Sequence, residues 1–122
     1  MTTSPIFVNA HSDYPIQILR NRRGGKENAL VAGGYLDKQR TANVAVEVMT
    51  VATDGRFSVH GGMIEAGHPR TVLETIDAVH QEIEKAQDSY RLICCSADLN
   101  TCLKDRKIGL ILNLEGVGCV ED

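Results

Sequence analysis

Two short segments carry residues able to bind a metal ion. His11-Ser12-Asp13 closes an apolar run that begins at Ile6, and Glu115-Gly116 closes another that begins at Ile108. Side chains two residues apart share a face of an extended strand, so the His11 imidazole and the Asp13 carboxylate are expected to converge on one point. One nitrogen and one oxygen donor suit a divalent ion of the zinc type. Glu115 adds a third donor, and Gly116 behind it lets the backbone turn sharply or approach a ligand closely. Taken singly, an HxD triplet or a Glu after a strand reads as ordinary surface. Their shared position is what counts, because parallel α/β sheets build sites at the carboxyl ends of their strands.

Other reactive side chains offer less. The cysteines, Cys94, Cys95, Cys102 and Cys119, match neither a paired zinc-binding CxxC nor a disulfide framework, and are expected to be free thiols packed as small apolar residues. His60 and His68 fall in a glycine-rich stretch and read as exposed loop residues, while His80 falls just off a helical stripe. Arg20, Arg22 and Arg23 read as a solvated helix end. Gly24-Gly25-Lys26 lacks the spacing and the preceding strand of a phosphate loop.

The elements that must position the donors follow from apolar periodicity. Ile6–Ala10 reads as a short buried strand, halted by Pro15, and a helix is expected from Ile16 to about Arg23, stopped by Gly24-Gly25. Lys26 to Arg40 is mixed and reads as loop. Val44–Val51 is apolar on both faces apart from Glu47, as in a sheet covered on both sides. Asp54 to Gly67 reads as a long loop. Pro69 then opens a helix whose stripe, Val72, Ile76, Val79 and Ile83, runs to about Gln87. Tyr90–Cys95 is a brief strand, Ser96 is expected to cap a helix through Lys104, and Ile108–Leu114 is another apolar strand. Alternating strand and helix predicts an α/β fold with a parallel sheet.

Composition agrees with one soluble unit, residues 1–122. The chain is 43% hydrophobic and 24% charged, which excludes disordered and low-complexity classes. It lacks an apolar run of membrane-spanning length and the features of a signal peptide, so a cytoplasmic location is expected. A net charge of −3 and 4% aromatic residues argue against nucleic-acid binding.

In this order, the segments resemble the membrane (renal-type) dipeptidase family. Ile6 through Pro15 is similar to that family's opening strand, which runs roughly Asp-Gly-His-Asn-Asp-Leu-Pro. Val44–Thr50 resembles its next strand, with Glu47 where a Gln is usual, and Ser96 through Gly116 resembles its helix and the strand ending in Glu-Gly-Gly. The departures are Asn9 for Asp, Tyr14 for Leu and Val117 for the second Gly.

The resemblance implies the N-terminal part of a (β/α)8 TIM-type barrel. It further implies a zinc-dependent peptidase that hydrolyses dipeptides through a metal-activated water. His11 and Asp13 would bind one zinc and Glu115 would bridge two. The family's remaining ligands lie further downstream, so at most one zinc is expected here, weakly held, and the chain alone is expected to be inactive. A complete barrel needs about 250 residues. The open sheet is therefore expected to aggregate, to form a homo-oligomer or to be completed by a second chain. The alternative is a non-catalytic half-barrel remnant or subunit. A hydrolase of another barrel family fits less well, since those related barrels usually open with HxH.

Overall fold

A computed structural model of the chain describes residues 5–26, 28–59 and 62–120. In chain order the elements are β1 (Phe7–Ser12), α1 (Tyr14–Arg23), α2 (Ala29–Ala32), α3 (Tyr35–Thr41), β2 (Val44–Ala52), β3 (Arg56–Val59), β4 (Gly62–Glu65), α4 (Pro69–Lys85), β5 (Tyr90–Leu92), α5 (Ser96–Lys104) and β6 (Ile108–Glu115). Among the described residues no helix is long and apolar enough to cross a membrane.

Four strands form one parallel sheet in the order β1-β2-β6-β5. The expected α/β architecture is present, but the order is not the sequential one of a simple β/α barrel. β6 slots between β2 and β5, and no closed barrel forms among the described residues. β5 pairs only with Ile108, Gly109 and Leu110, so Ile111–Glu115 is paired on its β2 side alone among the described residues. The carboxyl end of β6, where Glu115 sits, is thereby left at an open edge.

One face of the sheet is covered by helices. Met49 and Leu110, both at 0% exposure, pack with Ile18 of α1, Leu30 of α2, Leu36 of α3 and Val79 of α4. The stripe expected of α4 is confirmed at Val72, Val79 and Ile83, with Ile76 half-buried. Glu82 shares that buried face because it has partners: its carboxylate accepts from the backbone N–H groups of Asn28 and Leu30 at 3.0 and 3.3 Å. Those bonds tether α2 to α4 and satisfy donors at a helix start.

Several local expectations are corrected. The stretch read as loop contains α2 and α3, whose Leu30, Leu36 and Gln39 are buried. Such short helices gain their order from packing rather than propensity. The glycine-rich stretch contains an antiparallel hairpin, β3 against β4, with Arg56 opposite Glu65. His60 lies outside the described residues. β1 is an edge strand with largely exposed side chains, Phe7 at 56% and Val8 at 62%, because only β2 neighbours it.

The three arginines at the end of α1 are not simply solvated. Arg22 pairs with Asp77 at 2.7 Å, Arg23 makes a two-pronged pair with Glu74, and Arg20 donates to the Ser58 carbonyl at 2.8 Å. They lace α1 to α4 and to the hairpin. The cysteines are free, but only Cys102 is buried, and that burial raises its thiol pKa; Cys94 and Cys95 are exposed. Ser96 is the first residue of α5 rather than its cap. Asp98 instead reaches back to accept from the N–H groups of Cys94 and Cys95, and those hydrogen bonds, that of Cys94 first, hold its carboxyl below the usual range.

Candidate metal centre

The donors singled out from the sequence come together. Among the described residues, His11, Asp13 and Glu115 each offer one ligand atom, and these atoms all lie within 4.8 Å of one another. His11 Nε2 stands 3.3 Å from Asp13 Oδ1 and 3.8 Å from Glu115 Oε2. A tetrahedral zinc with bonds near 2.0–2.1 Å separates its ligand atoms by roughly 3.3 Å. The two distances from His11 Nε2 lie near that value. The three side chains are open to solvent, at 53%, 64% and 54% exposure, so incoming molecules can reach them.

The route to this convergence differs from simple strand alternation. β1 ends at Ser12, and Asp13 is the N-cap residue of α1, with φ −79° and ψ 13°. The β1–β2 register is also irregular between Asn9 and Ser12. Ser12 faces α3, where its hydroxyl meets Tyr35, while its neighbour His11 faces Thr50 of β2, on opposite sides as strand alternation requires.

Glu115 is set by β2. In the parallel register it stands opposite Ala52, and Thr53 donates to its carbonyl twice, through the backbone N–H at 2.9 Å and the hydroxyl at 2.6 Å. Gly116 follows with φ +87°, a conformation that side chains disfavour, and a Cβ there would collide with the Asp54 carboxylate. This is the sharp turn expected of that glycine. It leaves Glu115 as the last residue of the strand, pointing at the mouth of the sheet.

Thr50, which the sequence reading did not single out, stands against His11. It is fully buried, and its hydroxyl lies 3.4 Å from His11 Nδ1. With Nδ1 beside Thr50, Nε2 faces the two carboxylates and is the ring nitrogen placed to reach a metal. Metal-binding histidines are commonly oriented this way by a partner on the other ring nitrogen. The available signal was a hydroxyl residue near the end of a valine-rich strand. Asn9 contributes less directly, its side-chain oxygen accepting from the His11 N–H at 3.4 Å.

The other described histidines, His68 and His80, stand apart from the group. His68 is the N-cap of α4 and accepts from the Arg70 N–H at 3.3 Å. It lines an open cleft with Thr53, Asp54, Arg56, Glu65 and Gly118. His80 is exposed on α4, as its place off the stripe predicts.

No family model matches the chain, and no curated protein matches its sequence. A solved structure does match: the dipeptidase AC, a metallopeptidase of family M19, superposes with a TM-score of 0.74 at 13% sequence identity. The chain shares its fold with part of a metallo-dipeptidase. The match covers 97% of this chain and 37% of the dipeptidase, so the chain spans little more than a third of that protein's length. At this identity the likeness is one of fold, and the donor triad is this chain's own observation beside it.

Proposed function

We propose that this chain carries part of the metal centre of a zinc-dependent hydrolase acting on small peptides, dipeptides foremost. The observation that carries the reading is the convergence of His11, Asp13 and Glu115 at the carboxyl ends of β1 and β6, in a fold shared with a metallo-dipeptidase. The donor set, one imidazole nitrogen and two carboxylates, lacks the thiolates that mark structural zinc sites. A divalent cation held there supplies Lewis-acid polarisation of a peptide carbonyl and activation of water.

The residues divide the work. His11 offers Nε2 while Thr50 steadies the other face of the ring. Asp13, at the start of α1, and Glu115, at the end of β6, bring negative charge from two separate elements to one point. Glu115 would hold a cation beside His11 and Asp13 through its carboxylate. Three donors are few for two cations, so a two-metal site draws further ligands from outside the triad. We propose that additional chain, covalent or from a partner, covers the open edge of β6 and supplies them.

A second reading is favoured by one observation: the triad is more than half exposed on every member, as in a site that lacks its cover. On that reading the chain is a non-catalytic half-barrel. Zinc calorimetry on the wild type, H11A and E115Q, followed by assays of alanine- and glycine-containing dipeptides, separates the two. Zinc binding that weakens in both variants, with dipeptide turnover, supports the hydrolase. Binding without turnover supports the non-catalytic reading, and titrations indistinguishable between wild type and H11A sink the metal site itself.

A further inference from the structure

Behind the donor triad, on the helix-covered side of the sheet, lies a chain of polar side chains that the metal reading leaves unused. Glu47 of β2 is 1% exposed, in a strand otherwise apolar on that side. Tyr35 of α3 donates its phenol proton to Glu47 Oε1, and the Gln39 amide donates to Oε2. Gln39 accepts in turn from the Tyr90 hydroxyl at 2.6 Å. The single proton of Tyr35 is committed to Glu47, so the Ser12 hydroxyl, 2.9 Å from Tyr35 Oη, is the donor of that pair. The direction of the chain is therefore Ser12 to Tyr35 to Glu47.

Ser12 is the residue between His11 and Asp13. The ladder to β2 is irregular on its N-terminal side, from Asn9 to Ser12, so strand pairing holds this stretch loosely. The next residue along, Tyr14, stacks on Tyr35 with ring centroids 3.6 Å apart and planes 3° from parallel, and its hydroxyl donates to the Ala29 carbonyl at 3.0 Å. Tyr35 thus grips the ligand-bearing segment twice, by a hydrogen bond to Ser12 and by its ring on Tyr14. Buried Glu47 and Gln39 fix Tyr35 from behind.

We infer that Tyr35, anchored by Glu47, is a positioning residue for the metal centre, holding the backbone of residues 11–13 so that the His11 and Asp13 donors stay converged. This rests on the metal reading above and deepens it. Neither tyrosine touches the metal position. Their effect passes through the main chain of Ser12.

The test uses the full 122-residue chain and titrates zinc and cobalt(II) into the wild type, S12A, S12T and Y35F, with thermal melts alongside. S12A cuts the link while leaving Tyr35, Glu47, Gln39 and Tyr90 bonded to one another, so its melting temperature should stay near wild type. Y35F keeps the ring on Tyr14 but loses both hydrogen bonds. Partners that orient metal ligands typically matter by about 10–100-fold in affinity. We expect S12A and Y35F to bind zinc about tenfold more weakly, to alter the visible absorption of bound cobalt, and S12T, which keeps the hydroxyl, to restore both. Wild-type affinity and spectrum in S12A and Y35F would overturn the inference, as would S12T behaving like S12A. Failure of the wild type to bind either ion would remove the metal reading and this inference together; loss of binding in H11A, with S12A unchanged, would remove this inference alone.

Discussion

Replacing Thr50 by Val isolates the orientation of His11 from every other property of the site. The two side chains have the same shape, and Thr50 is fully buried, so the substitution removes a hydroxyl and adds a methyl without opening space. The lost contact is 3.4 Å long, near the outer limit of hydrogen bonding. That places the expected loss of zinc affinity at the low end of the 10–100-fold range for such partners, about tenfold or roughly 1.4 kcal/mol. Stability should move little. His11 is 53% exposed, so its Nδ1 can bond water instead, and no buried group is stranded. The net change on unfolding should stay within about 1 kcal/mol. Competition against a chromophoric chelator reads the affinity, and urea unfolding in the presence of a chelator reads the stability of the metal-free chain. Affinity within twofold of wild type at unchanged stability would refute the assignment of Thr50 as the group that turns Nε2 toward the carboxylates.

Two further outcomes follow from the same contacts. The Arg23 hydrogen bond holds the Glu74 carboxyl below its ordinary value of 4.5, so this pair's contribution is present above that value and is lost as pH falls through the depressed one. E74Q should therefore cost about 0.5–1 kcal/mol at neutral pH and converge with wild type as pH falls through the depressed value; parallel stability curves through that window would contradict it. Gly116→Ala places a Cβ at φ +87° against the Asp54 carboxylate and should destabilise by about 1–2 kcal/mol from the backbone alone, with part of any excess recovered by D54A. A variant as stable as wild type in urea would show that the turn after Glu115 does not need glycine.

The sequence by itself determined the long elements and marked the candidate donors. A valine-rich run at Val44–Val51, an apolar run from Ile108 and a four-three-four stripe after Pro69 are local signals, and β2, β6 and α4 stand where those signals put them. Residue type together with position marked His11, Asp13 and Glu115, because an imidazole and two carboxylates close apolar strands where a parallel sheet builds its sites. Short elements escaped, since α2, α3 and the β3–β4 hairpin have too few residues for a period and take their order from what they pack on. Only the tertiary structure decided how the donors meet. Glu115 joins His11 because parallel pairing sets it opposite Ala52 while Thr53 holds its carbonyl. The same holds for Glu47, which alternation marks only as an exception in an apolar strand. Its burial became tolerable when Tyr35 and Gln39, on a helix the sequence pattern did not show, supplied the hydrogen bonds that an isolated buried carboxylate lacks. Chemistry is written in residue types, which are local; convergence is written in strand register and packing, which are not.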